Sequence, residues 1–92
     1  MTSIWKFELS ITDEQIVSVP KGAWILTAQM QRGRLCVWAM VDTNVICEPT
    51  HFRIFGTGNP VTGLYGQYIG TVQDGGLVWH VFAEQCAKIE SK

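Results

Sequence analysis

The sequence predicts an all-β protein, a small antiparallel β-sandwich or partly open barrel of about seven short strands. Two observations predict this fold class. Aromatic and β-branched residues come in short runs, and Gly, Pro, Asp and Asn separate these runs. The chain has 92 residues and no polar linker long enough to separate two cores. It is therefore expected to form one domain over residues 1–92.

Two strands are predicted before Pro20. Apolar and polar side chains alternate from Ile4 to Ile11, as expected of a strand with one buried face. The apolar face of this strand comprises Trp5, Phe7, Leu9 and Ile11. Thr12 to Gln15 resembles a helix-capping motif, but Pro20 follows too soon for a useful helix. Gln15 to Val19 is therefore predicted as a short second strand.

A hairpin is predicted over residues 23–41. Its turn lies at Arg32-Gly33, where glycine tolerates a positive φ. The second arm, Leu35 to Val41, is apolar on both faces, which indicates a central strand or an interface. Cys36 is expected to pack there as a small hydrophobic residue. On the first arm, the residues expected to share one face are Trp24, Leu26, Ala28 and Met30.

The second half of the chain begins with an irregular stretch. Asp42 to Thr50 is predicted as a loop, and His51 to Phe55 as a strand that runs into a glycine-containing turn. Tyr65 to Val72 is predicted as a further strand. Gly66 and Gly70 weaken it, and glycines inside a strand often mark a bulge or a close approach of two backbones.

The last elements follow a strong hairpin signal. Asp74-Gly75-Gly76 is typical of a tight turn between antiparallel strands, and it leads into a predicted strand from Leu77 to Phe82. Residues 83–92 fit either a short C-terminal helical turn or a loose tail. The sequence contains no internal repeat and no low-complexity segment.

The charge and the cysteine content restrict the partners and the location. Seven Lys and Arg residues face eight Asp and Glu residues, and no basic run occurs, so neither DNA nor RNA is expected as a partner. Lys6 and Glu8 interrupt the first apolar stretch, which fits neither a signal peptide nor a membrane span. Three cysteines, Cys36, Cys47 and Cys86, fit reduced thiols better than a disulfide framework. The expected location is the cytoplasm.

Hydrophobic residues make up 47% of this short chain, and four of them are tryptophans. Such a chain either fills its interior tightly or leaves apolar surface for contact between subunits. We favour the second explanation, so a homo-oligomer is expected.

No familiar catalytic motif occurs. The sequence lacks a Gly-x-Ser-x-Gly elbow, a P-loop and a His-Glu-x-x-His motif. Cys47 and His51 form one loose pair of possible metal ligands, whereas a structural zinc site usually needs two close pairs. We therefore expect no enzyme, no metal and no cofactor.

The strongest candidate for ligand binding surrounds two glycines. The backbone N–H groups of Gly56, Thr57 and Gly58 could converge on an anion, with Arg53 placed to pair with it. Phe55 shares the polar face with Arg53 and could stack on a planar group. With Asn59 included, this segment suits a nucleotide or a phosphate. The alternative is a plain β-turn with permissive glycines.

Two tyrosines form a second candidate. Tyr65 and Tyr68 offer flat apolar rings together with hydrogen-bonding hydroxyl groups. A ligand could use both properties. Packing of the rings against the core, with the hydroxyl groups at the surface, explains these residues equally well.

A series of short motifs spans nearly the whole chain in a specific order. The motifs are Ile4-Trp5-Lys6-Phe7-Glu8-Leu9, Ile11-Thr12-Asp13-Glu14-Gln15, Pro20-Lys21-Gly22-Ala23, Trp38-Ala39, Val41-Asp42, Phe52-Arg53-Ile54-Phe55-Gly56-Thr57-Gly58, Tyr68-Ile69-Gly70-Thr71 and Val78-Trp79-His80-Val81-Phe82. With them the sequence resembles a family of small phage and prophage proteins described as a domain of unknown function. The resemblance implies a phage gene product that acts in the bacterial cytoplasm. It supplies no catalytic residue.

These observations lead to one functional hypothesis and two alternatives. The hypothesis is a non-catalytic, homo-oligomeric phage accessory protein that counters host defence by sequestering a nucleotide-derived signal in a pocket between subunits. The first alternative is an inhibitor that binds a host defence or metabolic protein directly. The second is a component of the virion or of its assembly.

Overall fold

The computed structural model describes residues 1–63 and 65–84, and in this part of the chain it contains seven strands and no helix. The predicted all-β fold is therefore confirmed. Ala83 and Glu84 end the last strand, and the rest of the proposed C-terminal turn lies outside the described residues. The strands are β1 (Thr2–Leu9), β2 (Glu14–Pro20), β3 (Trp24–Gln31), β4 (Arg34–Asp42), β5 (Cys47–Gly56), β6 (Gln67–Asp74) and β7 (Leu77–Glu84).

The strands form two antiparallel sheets. One sheet has three strands in the order β1-β4-β3, and the other has four in the order β2-β5-β7-β6. The sheets face each other as a small sandwich, and β3 packs against β6 along one side without closing a barrel. At this contact a side chain on Gly70 would lie 3.3 Å from the backbone nitrogen of Ala28. Glycine therefore allows β6 to approach β3 closely.

The core lies between the inner faces of the sheets. Alternate residues of each strand point inward, so the buried set follows the two-residue period of a strand. Phe52 of β5 is the largest of the fully buried side chains, with Leu35 and Val37 of β4 across from it in the same cluster. β4 lies between β1 and β3. Of the two explanations for the apolar segment Leu35 to Val41, a central strand or an interface, the structure thus confirms the central strand.

The prediction for the first arm of the hairpin is wrong in one respect. Trp24 and Leu26 do not share a face with Ala28 and Met30, because the register of β3 against β4 shifts between Ile25 and Thr27. Such a bulge inserts one unpaired residue and reverses the alternation beyond it. As a result Ile25 is 4% exposed and Trp24 is 67% exposed.

Two strand boundaries also differ from the prediction. The expected loop 42–50 is too long, since β5 begins at Cys47, where it pairs with Pro20 of β2. This pairing is between segments far apart in the sequence, so local composition does not reveal it. β6 begins at Gln67 rather than Tyr65, because Gly66 has a φ of 80° that leaves the extended conformation.

Gly66 and Gly70 have the roles that the sequence predicts, a bulge at one position and a close approach of backbones at the other. The register of β6 against β7 shifts between Tyr68 and Gly70, which marks a bulge. A side chain on Gly66 would lie 2.5 Å from the carbonyl oxygen of Ala83. This is a close approach of two backbones that no other residue type would allow. Nowhere in residues 1–63 and 65–84 is there a helix long and apolar enough to cross a membrane.

Candidate functional site

Most of the predicted site residues come from β5 and the turn that follows it. Arg53 and Phe55 lie on the outer face of the four-stranded sheet, because the alternate residues Phe52 and Ile54 point into the core. Across β7, Arg53 lies opposite Phe82 and Phe55 lies opposite His80. Tyr68 of β6 also lies opposite Phe82, from the other side. The sheet thus brings the two candidate segments of the sequence to one face.

Four rings form an aromatic cluster on this face, comprising Phe55, Tyr65, Tyr68 and Phe82. The Phe82 ring is at the centre, with its centroid 5.7 Å from that of Phe55, 5.4 Å from Tyr65 and 5.6 Å from Tyr68. All three contacts are edge-on, the arrangement that aromatic pairs favour. Phe55 is only 8% exposed, whereas Tyr65 is 46% and Tyr68 54% exposed. The two tyrosines, not Phe55, therefore offer open ring surface.

Arg53 holds the connection between β5 and β6 against the sheet. Its guanidinium carbon lies 5.2 Å from the centre of the Phe55 ring, within the range of a cation–π interaction. The same guanidinium donates a hydrogen bond to the carbonyl oxygen of Thr62 at 3.1 Å. Its Nε lies 3.6 Å from a carboxylate oxygen of Glu14. The positive charge of this site is thus partly balanced by a neighbouring acid.

The glycine-containing segment after β5 forms a β-turn. The N–H of Asn59 donates to the carbonyl oxygen of Gly56 at 3.1 Å, and Gly58 has a φ of 92°. A glycine with positive φ at the third position is typical of a type II turn. The N–H of Asn59 is therefore used inside the turn. A side chain on Gly56 would meet the Asn59 amide at 2.9 Å and the Trp79 ring at 3.2 Å.

A chain of hydrogen bonds crosses the same face, and we call it the His80 relay. The Nε2 atom of His80 lies 2.8 Å from the hydroxyl of Thr57, and its Nδ1 atom lies 3.0 Å from the hydroxyl of Thr71. The Thr71 hydroxyl is in turn 2.6 Å from that of Tyr68. The relay connects the turn after β5 with an exposed tyrosine on β6, so both candidate segments belong to one polar network.

Sequence reasoning missed His80, Thr71 and Phe82, although a signal for them existed. The hairpin predicted at Asp74-Gly75-Gly76 fixes the register of β6 against β7. That register places Thr71 opposite His80. The bulge near Tyr68 then brings this residue opposite Phe82, and a bulge cannot be positioned from the hairpin turn alone.

Two shallow cavities flank the turn after β5. The first has a volume of about 250 Å³ and is lined by Asp13, Arg53, Ile54, Phe55, Asn59, Pro60 and Thr62. The second has a volume of about 260 Å³ and is lined by Gly56, Thr57, Asn59, Gly76, Leu77, Val78 and Trp79. Asn59 borders both. Each cavity is smaller than the usual pocket for a drug-sized ligand, which starts at about 300 Å³.

Neither the described cysteines nor His51 lines the two cavities. Cys36 is buried and Cys47 is exposed, both with free thiols, and Cys86 lies outside the described residues. The Nδ1 atom of His51 is 3.9 Å from a carboxylate oxygen of Glu84 on the neighbouring strand. Over residues 1–63 and 65–84, His, Cys, Asp and Glu side chains form no group of three that could hold a metal ion.

Comparison with known proteins gives a match to a family model. A family model described as a domain of unknown function, DUF7352, matches residues 1–92. No curated protein and no solved structure matches the chain.

Proposed function

Since the chain belongs to the DUF7352 family, whose description states no activity, we propose from its geometry that it binds a nucleotide-derived anion without converting it. The binding surface is the outer face of the four-stranded sheet. One observation carries the proposal: two half-exposed tyrosine rings, Tyr65 and Tyr68, are held edge-on by Phe82 on the face that also carries Arg53.

The tyrosines supply the stacking surface. A nucleobase that stacks on an aromatic side chain gains about 1–3 kcal/mol. Because Phe82 already restricts both rings, little conformational entropy is lost when a base binds. The hydroxyl of Tyr68 also belongs to the His80 relay, so it is oriented before a ligand arrives.

The charges favour a ligand with few negative charges. Arg53 lines the first cavity and attracts an anion, but Asp13 lines the same cavity and Glu14 pairs with Arg53. These carboxylates repel a dense cluster of phosphates. The arrangement fits a phosphodiester or a monophosphate better than a triphosphate.

The size of the cavities supports a binding site shared between subunits. The two cavities hold about 250 Å³ and about 260 Å³. Each has room for part of a dinucleotide, so a homo-oligomer could enclose the remainder. The resemblance to phage and prophage proteins supports a role in the cytoplasm of an infected bacterium. There, sequestration of a nucleotide immune signal would counter host defence. Sequestration needs affinity without turnover, which stacking and one arginine can provide.

A second candidate function is direct inhibition of a host protein. It is favoured by a row of exposed apolar residues, Ile4, Met40 and Trp24, that lie side by side on the outer face of the three-stranded sheet. Exposed apolar rows of this kind are typical of contacts between proteins. A virion component would use the same surface, and its presence in purified particles would distinguish it.

The proposal is tested by isothermal titration calorimetry with a cyclic dinucleotide, a nucleoside monophosphate and a nucleoside triphosphate. We expect the cyclic dinucleotide to bind most tightly and Tyr68→Ala to weaken its binding about tenfold or more. Trp24→Ala removes a more exposed ring from the other sheet and should leave the affinity unchanged. Absence of binding by all three probes, or equal effects of the two substitutions, would overturn the proposal.

Mass spectrometry of the probe after incubation separates binding from catalysis. The hydroxyl of Thr57 and the His80 ring lie at a distance that a nucleophile and its base can share. We expect the cyclic dinucleotide to be recovered with its mass unchanged. A hydrolysed product that disappears in His80→Gln would instead identify an enzyme.

A further inference from the structure

Strand β1 lies at an edge of the three-stranded sheet, where it pairs only with β4 among the described strands. Edge strands carry unpaired backbone groups and invite pairing with another chain unless something protects them. Of the three other edge strands, β3 and β6 contain bulges and pack against each other, and β2 ends in Pro20. β1 has neither a bulge nor a proline over Thr2–Leu9.

One hydrogen bond determines which groups of β1 point outward. The N–H of Thr43 donates to the carbonyl oxygen of Met1 at 2.8 Å. In an antiparallel pair, successive residues direct their N–H and C=O groups alternately toward the partner and away from it. Odd-numbered residues of β1 therefore bond to β4. Ile4, Lys6 and Glu8 direct their backbone groups to the open edge.

We propose that β1 pairs with β1 of a second copy of the chain, antiparallel and around a two-fold axis at Phe7. The two three-stranded sheets then form one continuous six-stranded sheet. In this arrangement Lys6 of each copy lies opposite Glu8 of the other. Both residues have outward backbone groups, so each pair also exchanges two backbone hydrogen bonds.

The charges of Lys6 and Glu8 select this register. Like charges directly opposite each other destabilise a strand pair, and opposite charges stabilise it. An axis at Lys6 or at Glu8 would place identical charges together across the axis. An axis at Phe7 pairs Lys6 with Glu8 twice, because the symmetry repeats each contact. Charge complementarity thus favours a second copy of this chain over an unrelated strand.

The existing contacts of these two side chains do not prevent the pairing. Lys6 donates to the side-chain oxygen of Gln31 at 2.7 Å, and Glu8 pairs with Arg34 at 2.5 Å. Both contacts are exposed, and water screens exposed charged contacts, so exchanging or sharing them costs little stability. The pairing would also cover part of Ile4 and Trp5, which are exposed at this edge.

Charge reversal tests the register by sedimentation equilibrium without any ligand, so the result is independent of the proposed function. Lys6→Glu and Glu8→Lys each create two like-charge contacts, and each should raise the Kd of the dimer about tenfold or more. The double variant restores both pairs and should return the Kd to within about threefold of the unchanged protein. A monomeric wild-type protein, or a dimer that ignores both reversals, would overturn the inference.

Hydrogen exchange gives a second measurement that does not depend on substitutions. The amides of Lys6 and Glu8 face the open edge, so they should exchange rapidly in dilute protein and slowly at high concentration. The amide of Phe7 bonds to β4 and should be protected at both concentrations, which makes it an internal control. Equal exchange of the Lys6 amide at all concentrations would contradict pairing through β1.

Discussion

The outer faces of the two sheets carry similar apolar residues, but these residues differ in how far they are exposed to solvent. On the four-stranded sheet, Phe55 is buried and Phe82 is partly buried. Both pack against neighbouring rings, one of which, Tyr65, belongs to the connection between β5 and β6, described over residues 57–63 and 65–66. On the three-stranded sheet, the row of Ile4, Met40 and Trp24 is exposed. No described segment folds over this row.

The difference follows from the lengths of the connections. β3 and β4 are joined by a two-residue turn at Arg32 and Gly33, both with positive φ, which returns the chain at once. The β5–β6 connection is longer, and it contacts the sheet at two points. Arg53 donates a hydrogen bond to Thr62, and Gly66 lies close to the backbone of Ala83. The burial of apolar residues on an outer face thus depends more on the length of the neighbouring connection than on the composition of the strands.

The largest effect is expected from Gly66→Ala, which should detach the connection and expose the covered face. The new methyl group would lie 2.5 Å from the carbonyl oxygen of Ala83. We expect a loss of about 1–3 kcal/mol from this overlap, added to about 1–2 kcal/mol of strain at positive φ. Urea unfolding measures the total loss in the free energy of unfolding.

Gly75→Ala is the matched control for this prediction. Gly75 also has a positive φ, of 63°, but a side chain there would meet no atom within 4 Å. It should cost only the strain, about 1–2 kcal/mol. Equal losses for the two variants would mean that Gly66 does not fasten the connection.

A second prediction compares one apolar residue from each face. Phe82→Ala removes the ring that contacts Phe55, Tyr65 and Tyr68. Because Phe82 is partly exposed, the loss in free energy of unfolding should be about 2–3 kcal/mol, below the range for a fully buried Phe. Trp24→Ala should change it by about 0.5 kcal/mol or less. A comparable loss at Trp24 would show that the exposed row supports the fold.

Much of the fold could be predicted because its signals are local. The turn at Arg32-Gly33, the hairpin at Asp74-Gly75-Gly76 and the apolar run from Leu35 to Val41 each depend on neighbouring residues only. The start of β5 at Cys47 could not be predicted, because it depends on pairing with β2. For a similar reason, the bulge between Ile25 and Thr27 could not be predicted, because bulges follow from packing. This bulge places Trp24 and Ala28 on opposite faces of the sheet.

The candidate site was predictable in part. The sequence indicated Arg53 and the tyrosines as residue types suited to ligands, and the sheet brings them to one face. It could not indicate that Phe55 is covered, because the covering ring of Phe82 comes from β7, a distant segment. The His80 relay was missed for the same reason, since its members lie on three different segments.

A smaller effect is expected from the relay itself. Thr71→Val removes the hydroxyl that connects His80 with Tyr68, and it should cost about 0.5–1.5 kcal/mol of unfolding free energy. Thr27→Val is the control from the outer face of the other sheet, and it should be neutral because the structure shows no hydrogen bond of that hydroxyl within the described residues. If both variants unfold alike in urea, the relay does not stabilise the covered face.

The smallest effect concerns the end of β4 on the three-stranded sheet. The carboxylate of Asp42 accepts the backbone N–H of Asn44 at 3.0 Å and lies 3.6 Å from the amino group of Met1. The hydrogen bond from Asn44, followed by the charge of Met1, holds the pKa of Asp42 below its ordinary value of 3.8. A lowered pKa stabilises the folded protein above the pKa of the unfolded chain, and this contribution is lost as the pH falls through the folded pKa.

Asp42→Asn should therefore be less stable than the unchanged protein at neutral pH, and the difference should disappear in acid. Urea unfolding of both proteins between about pH 6 and about pH 2 measures it. The expected effect is small because the carboxylate is exposed and water screens its charge. A difference that stays constant as the pH falls would show that the amide change acts through packing. Packing, and not charge, would then hold this end of β4.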